Sequence, residues 1–407
     1  MSTRFSPLEA NPIGYEEVHG LLDEPAADAL LTDREQELRS TTRGIMAASI
    51  APRAADVDRH HEFTGPQVRE LANHGLMGLV FPREYGGTAD TNVSYAAVVE
   101  EVAAGCAATS LVFVTQMHVA YPLLLAGTED LKERYIPGLL DGTAWGSLGI
   151  TEPNAGSDVS GMRTTATAVD GGYRINGSKT FITTGDVADV IAGFATGDRS
   201  AGRDGIGAFV IDGDAEGLAK GQPFRKLGMN GSSTAELFFD DVFVPTQNVL
   251  AAPGEGWSVV MKSVTKSRIS AAAQGVGIAR AAYARTLHAL RQRHGHRFSD
   301  EVTYALATLR GRILQGRLLM LTVARQVDER PDVAPGQIGM MKQSCTDLGW
   351  EVSLECMRIL GGWGDLEEIG VERCLRDSKV TQIYDGTNEI QRLLIGRETS
   401  RALKELS

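Results

Sequence analysis

From Val302 to Val327, small or apolar residues recur by alternating steps of four and three: Val302, Leu306, Leu309, Ile313, Gly316, Met320, Val323 and Val327. A strand repeats every second residue, so this spacing calls for a long helix with one buried seam. Ile338, Met341, Cys345, Leu348, Val352, Cys356 and Ile359 form a second such stripe. Helical spacing already resumes at Gly256, and residues 252–407 read as an α-helical bundle.

The preceding segment changes character. After Leu148, Thr165, Thr167 and Val169 alternate, Asp170-Gly-Gly172 turns, and Tyr173 and Ile175 alternate again, which is a hairpin signature. Further strands are expected at Phe181–Thr184, Val190–Ala195, Ala208–Asp212 and Ala235–Val244, giving a middle β-domain over 147–251. Residues 32–146 are helical in pattern: a short helix opens at Thr64-Gly-Pro66 and stops at Gly75, and Ser94–Ala104 reads as amphipathic. Residues 1–31, rich in Pro, Ala, Asp and Glu, read as a flexible or loosely docked extension. The fold class is α+β, in the order helices, sheet, helical bundle.

Composition removes several functions. The net charge of -12 argues against nucleic acid or an anionic membrane as partner. No apolar run approaches the ~18 residues of a spanning helix. Cys106, Cys345, Cys356 and Cys374 form no close pair, and the eight histidines no ligand cluster, so separate buried thiols and no metal are expected. The N-terminus lacks an apolar signal core, which makes a cytoplasmic location the default.

Four polar or glycine-rich stretches stand apart from this scaffold. Gln382–Arg392 holds Asp385 between Tyr384 and Gly386, with Thr387 as N-cap of a helix starting at Asn388. Asp385 would stand at a break between helices; a plain Asp-Gly turn is the competing reading. Leu148–Asp158 offers Thr151, Gly156 and Ser157, hydroxyls and small residues suited to an anionic or heteroaromatic ligand. Lys179–Thr184 puts Phe181 and Thr183 on a strand, and Arg358–Gly364 has Gly361 and Gly362, which permit close backbone approach.

Six pieces in order then carry a family likeness: Thr151-Glu-Pro-x-Ala-Gly-Ser-Asp158, Asn176-Gly-x-Lys179, Phe238-x-Asp-x-Val242-x-Val-Pro245, Arg291-x-x-x-Gly295, Leu360-Gly-Gly362 and Tyr384-x-Gly-Thr387. Together they resemble the acyl-CoA dehydrogenase family of FAD flavoproteins, from about Leu31 to Arg401. The resemblance implies a helical N-terminal domain, a middle β-barrel-like domain and a C-terminal four-helix bundle, assembled as a homotetramer (or dimer). It implies that Asp385 is the base removing the α-proton of an acyl thioester, the β-hydride going to flavin N5. By the same likeness Leu148, Thr151, Gly156, Ser157, Phe181, Thr183, Thr387 and Glu389 attend the FAD. Arg291, Arg358, Gly361 and Gly362 would reach the FAD of the neighbouring subunit, while Ser157 and Arg268 serve the substrate. Electrons would pass to an electron-transfer flavoprotein or similar acceptor.

The likeness is uneven. Most relatives place Glu where this chain has Asp385, and Asp is one methylene shorter. The alternative position for a family Glu, before Arg268, holds Ser267. Asp occurs in ring-carboxyl-CoA dehydrogenases and in nitroalkane oxidases, so a nitroalkane-oxidase-like flavoprotein is the alternative. Asn230, Thr265 and His294 also depart from the pattern, which leaves a carrier-protein thioester open beside acyl-CoA.

Overall fold

The computed structural model describes residues 24–295, 297–330 and 333–405. Among them, helices α1 (Pro25–Asp28), α2 (Asp33–Ile45), α3 (Ala54–His60), α4 (Gly65–Asn73), α5 (Asn92–Gly105), α6 (Ala107–Ala126) and α7 (Glu129–Asp141) come first. Strands β1 (Gly146–Gly149), β2 (Thr165–Val169), β3 (Gly172–Thr183), β4 (Val190–Thr196), β5 (Ile206–Asp212), β6 (Leu218–Lys220), β7 (Thr234–Pro245) and β8 (Val249–Ala251) follow. Helices α8 (Trp257–His294), α9 (Asp300–Glu329), α10 (Pro335–Leu360), α11 (Val371–Thr381) and α12 (Asn388–Glu405) complete the chain.

The strands form one sheet in the order β6-β7-β3-β2-β4-β5-β8, with β1 beside β4 in parallel. The expected hairpin is β2–β3, antiparallel, with Val169 opposite Gly172. Phe181–Thr183 is not a separate strand but the far end of the twelve-residue β3. On β4, Val190, Ala192 and Phe194 join the large core shared with the helices. Ile191 and Ala195 face the other way, into the sheet's own core with Ile175, Phe209 and Leu237. Period-two alternation thus gives the sheet two apolar faces, one of which meets the helices.

The two C-terminal stripes are seams as expected, with Leu306, Leu309, Ile313, Met320 and Val323 of α9 and Ile338, Met341, Cys345, Leu348, Val352 and Cys356 of α10 buried. The four cysteines are free and buried. Helix α8 runs through the middle and approaches both neighbours at glycines. A Cβ on Gly275 would lie 2.2 Å from Cys345 O of α10, and one on Gly277 2.4 Å from Glu100 O of α5.

Three expectations are corrected. Helix α5 is not amphipathic: every residue from Asn92 to Gly105 is buried, because α2, α8 and α9 surround it. Helix α6 is, by length and composition, apolar enough to cross a membrane, yet 78% of that stretch is buried inside the fold, as in a core helix. Residues 1–23 lie outside the described part, but 24–31 are docked rather than loose. Ala27 and Leu31 are buried, and Asp28 accepts from both Arg39 (2.8 Å) and Arg317 (3.0 Å).

Those arginines belong to a buried charge cluster that composition does not reveal. Glu100 and Glu101 are wholly buried on α5. Arg280 of α8 bridges them (2.6 and 2.9 Å), Arg317 of α9 takes Glu100 (3.1 Å), and Arg39 and Arg43 of α2 take Glu101 (both 2.9 Å). Burial pushes both carboxyl pKa values up, but the arginines pull them further down, Glu101 well below its ordinary value. Folded values below unfolded ones mean a stabilisation present above about pH 4.3 and lost as pH falls towards the folded values. Glu101→Gln strands three guanidinium contacts, so equilibrium unfolding is expected to lose about 3–5 kcal/mol at neutral pH. The difference from the parent should shrink in acid.

Candidate active site

Helix α11 ends at Thr381 and α12 begins at Asn388, which places Asp385 in a break between helices. The Thr387 hydroxyl caps α12, accepting from Ile390 N–H at 3.4 Å. Asp385 adopts φ +56° and Gly386 φ +85°. The left-handed region disfavours residues with a Cβ, although Asp tolerates it better than most.

Three side chains hold this turn through two successive carbonyls. Gln391 Nε2 donates to Asp385 O (3.3 Å) and Gly386 O (2.8 Å), and Arg268 Nε donates to Asp385 O (3.4 Å). Lys342 Nζ donates to Gly386 O (3.1 Å) and to Asn388 Oδ1 (2.9 Å). Arg268 and Lys342 are both buried. Burial pushes the Arg268 pKa down and that of Lys342 down to about 8, while the Asp385 charge works against it in both.

Opposing residues come from α5, α6 and α8. His118 Nε2 lies 2.9 Å from Ser270 Oγ, and Ser270 donates its proton to Ser267 O at 2.6 Å. With that proton committed, the His118 nitrogen must be the donor. Burial lowers the His118 pKa against the pull of Asp385, which favours a neutral ring. Burial raises the Tyr95 pKa, the Ser270 hydroxyl opposes the shift, and the Asp385 charge adds to it. Tyr384 O–H donates to Gln274 Oε1 (2.6 Å), and Gln274 Nε2 donates to Ser110 Oγ (2.9 Å), so the aromatic before the carboxylate is anchored to α8 and α6.

A second group of residues gathers at the β1–β2 loop. Glu152 accepts from Lys179 Nζ (2.8 Å), Arg163 N–H (2.6 Å) and Thr164 N–H (3.0 Å), which ties the root of the loop to β3. Burial pushes the Lys179 pKa down to about 8 although Glu152 opposes the shift. Beyond this anchor Gly156 and Ser157 are exposed, while Leu148 and Thr151 are half-buried. Pairing of β3 with β7 slips between Lys179 and Ile182, and Thr180 N–H donates instead to Thr151 O (2.9 Å). At that bulge Phe181 takes φ +57° and is 68% exposed, its ring 5.5 Å from Phe224. Thr183 is half-buried on the same strand.

Helix α6 joins the two groups. Gln116 Oε1 accepts from Gly146 N–H of β1 (2.7 Å), and Thr184 Oγ1, just past β3, donates to Gly146 O (2.6 Å). His118, two residues further along α6, meets Ser270 and feels the Asp385 charge. Arg291, Arg358, Gly361 and Gly362 are not drawn into this arrangement. They are exposed, Arg358 pairing with Glu355, and Arg293 stacking over Trp363 at 4.6 Å brings the end of α8 to the Gly361–Trp363 turn. Glu389 is exposed near Arg392. Asn230 donates to Asp58 at 2.8 Å.

Three family models match in chain order: the acyl-CoA dehydrogenase N-terminal domain over residues 32–143, the middle domain over 147–242 and the C-terminal domain over 254–399. The chain belongs to the acyl-CoA dehydrogenase family. It is similar to an acyl-CoA dehydrogenase of Bacillus subtilis strain 168, 37% identical over 90% of this chain and 98% of that one. A cyclohex-1-ene-1-carbonyl-CoA dehydrogenase of Syntrophus aciditrophicus is 34% identical over 90% of each. The structure of butyryl-CoA dehydrogenase from Megasphaera elsdenii superposes with a TM-score of 0.87 at 34% identity, covering 91% of this chain and 98% of that one.

This acyl-CoA dehydrogenase uses FAD, as solved relatives of the fold do, one of them a complex with FADH2. Its own residues fit the cofactor. An aromatic ring 68% exposed at a bulge, beside a loop that bares the backbone of Gly156 and Ser157, suits a planar ring with an anionic tail. Sequence reasoning missed Lys342, Gln391, Tyr95, His118, Ser270 and Gln274. Lys342 did leave a sign, a cation adjoining Met341 in an apolar stripe. Replacing Lys342 by Met removes two hydrogen bonds worth about 1 kcal/mol each. Amide exchange at Tyr384 and Asn388 is expected to quicken at least tenfold, read by mass spectrometry, with the fold retained.

Proposed function

We propose that this acyl-CoA dehydrogenase desaturates its substrate between Cα and Cβ, with Asp385 as the base. The observation that carries this reading is the turn at Asp385. A left-handed aspartate is costly, and this one is pinned by three side chains acting on backbone oxygens. Its carboxylate accepts no hydrogen bond among the described residues, so both oxygens are available for a C–H proton. The α-C–H bond breaks with its proton passing to Asp385 as the Cα–Cβ double bond forms. FAD, when bound, supplies the acceptor for the β-hydride.

Leu148, Thr151, Gly156, Ser157, Phe181 and Thr183 would hold the flavin and pyrophosphate, with Thr387 and Glu389 near the adenosine side. Ser157 and Arg268 would serve the substrate. The separate exposed surface of Arg291, Arg358, Gly361 and Gly362 supports contact with the FAD of another protomer, in a homotetramer. An electron-transfer flavoprotein is the proposed acceptor of the electrons. Asp385→Asn should retain FAD, measured by absorbance per protein, while flavin reduction by an acyl-CoA falls at least ~100-fold. Reduction at an undiminished rate would remove Asp385 from this role.

A further inference from the structure

Asp377, on α11 ahead of the Asp385 turn, is a buried carboxylate with no part in the chemistry above. It is 5% exposed, and its one hydrogen bond among the described residues comes from Met229 N–H, at 2.5 Å. Burial pushes its pKa up to about 6 against the pull of that N–H. Keeping a carboxylate out of water is unfavourable, so what it holds is informative. Met229 takes φ +54°, left-handed backbone that a residue with a Cβ disfavours and that its surroundings must hold in place. Its neighbours dock on the same helix. Arg376 Nη1 donates to Leu227 O (3.2 Å), and a Cβ on Gly228 would lie 2.4 Å from the Arg376 carbonyl.

The two ends of this segment meet β3. Ser233 O accepts from Thr184 N–H (2.9 Å), Thr234 pairs with Thr183, and the Phe224 ring stands 5.5 Å from that of Phe181. Helix α11, for its part, ends at Thr381 and leads into the turn of Asp385. We infer that Asp377 is a positioning residue: by holding Met229 it ties the strand of Phe181 and Thr183 to the helix that leads to Asp385. The inference rests on the reading above, in which Asp385 takes the α-proton and Phe181 and Thr183 attend the flavin. Base and flavin serve adjacent carbons of one substrate, so their spacing matters within ~1 Å. Gln391, Arg268 and Lys342 hold the Asp385 turn without help from this segment. Releasing Met229 therefore displaces the flavin side while the base stays in place.

The test uses the full-length, FAD-loaded enzyme and three readouts: anaerobic flavin bleaching by the acyl-CoA that reduces the parent fastest, α-proton exchange in D2O, and amide exchange by mass spectrometry. The α-exchange probe is the analogue with sulfur in place of Cβ, which has an α-proton but no hydride to give. In Asp377→Ala, bleaching is expected to slow at least about tenfold while α-proton exchange stays within about threefold. Amide exchange is expected to quicken about tenfold at Met229 and Thr184 and to stay unchanged at Asn388. Asp377→Asn, which keeps an oxygen for the Met229 N–H, is expected to restore bleaching to within about threefold of the parent. Unslowed bleaching in Asp377→Ala, equal loss of bleaching and α-exchange, or no rescue by Asn overturns the inference and leaves the dehydrogenase reading standing. Should Asp377→Ala fail to fold, Gly228→Ala, which pushes the same contact apart, decides on the same readouts. A parent flavin that no acyl-CoA bleaches overturns the dehydrogenase reading and the inference with it.

Discussion

Two adjacent carboxylates, Glu100 and Glu101, lie wholly buried in the middle of the helical scaffold, and the mutual placement of α2, α5, α8 and α9 depends on how they are neutralised. Moving a carboxylate out of water costs several kcal/mol that only well-placed partners return. Here the partners come from α2, α8 and α9 at once, so these helices reach their ion pairs only in one mutual arrangement. Gly277 lets α8 come close enough for Arg280 to bridge both carboxylates. The same two helices carry Tyr95 on one side and Arg268, Ser270 and Gln274 on the other. The part of the site that α5 and α8 carry is therefore fixed by the charge cluster.

The turn at Asp385 shows the complementary device. Side chains of α8, α10 and α12 converge on it, yet they bind its backbone rather than its carboxylate. An aspartate reaches one methylene less far than a glutamate, and misplacement of ~1 Å can cost ~100-fold in rate. Little of that reach can be recovered by side-chain motion, so the backbone itself has to be positioned. Left-handed φ at Asp385 and Gly386, over-determined by three donors, does this.

How much of this was legible in the sequence follows from the range of the interactions. The seams of α9 and α10, the β2–β3 hairpin and the break before Thr387 are local patterns, readable from spacing and turn chemistry. Thr151 lies in one of the ordered motifs, Asp385 and Phe181 stand in stretches set apart by their composition, and Arg268 follows from the family likeness alone. Helix α5 was misread because Glu100 and Glu101 look like a solvent face until arginines from other helices are placed beside them. The docking of Asp28 was hidden for the same reason, since its partners Arg39 and Arg317 lie 11 and 289 residues away. Tyr95, His118 and Ser270 share no motif at all; only the packing of three helices makes them one wall.

That wall and the clamp divide the electrostatic labour around Asp385. Arg268 and Lys342 bring positive charge close to the carboxylate, but their N–H bonds are spent on the carbonyls of Asp385 and Gly386. Had either donated to the carboxylate oxygens, protonating Asp385 would require breaking a charge-assisted hydrogen bond, roughly twice as strong as a neutral one. On the far side Tyr95, Ser270 and His118 are uncharged, so nothing there competes as an ion partner for Asp385. Positive charge held on the backbone and uncharged groups on the opposite wall together leave the carboxylate attracted yet unbound.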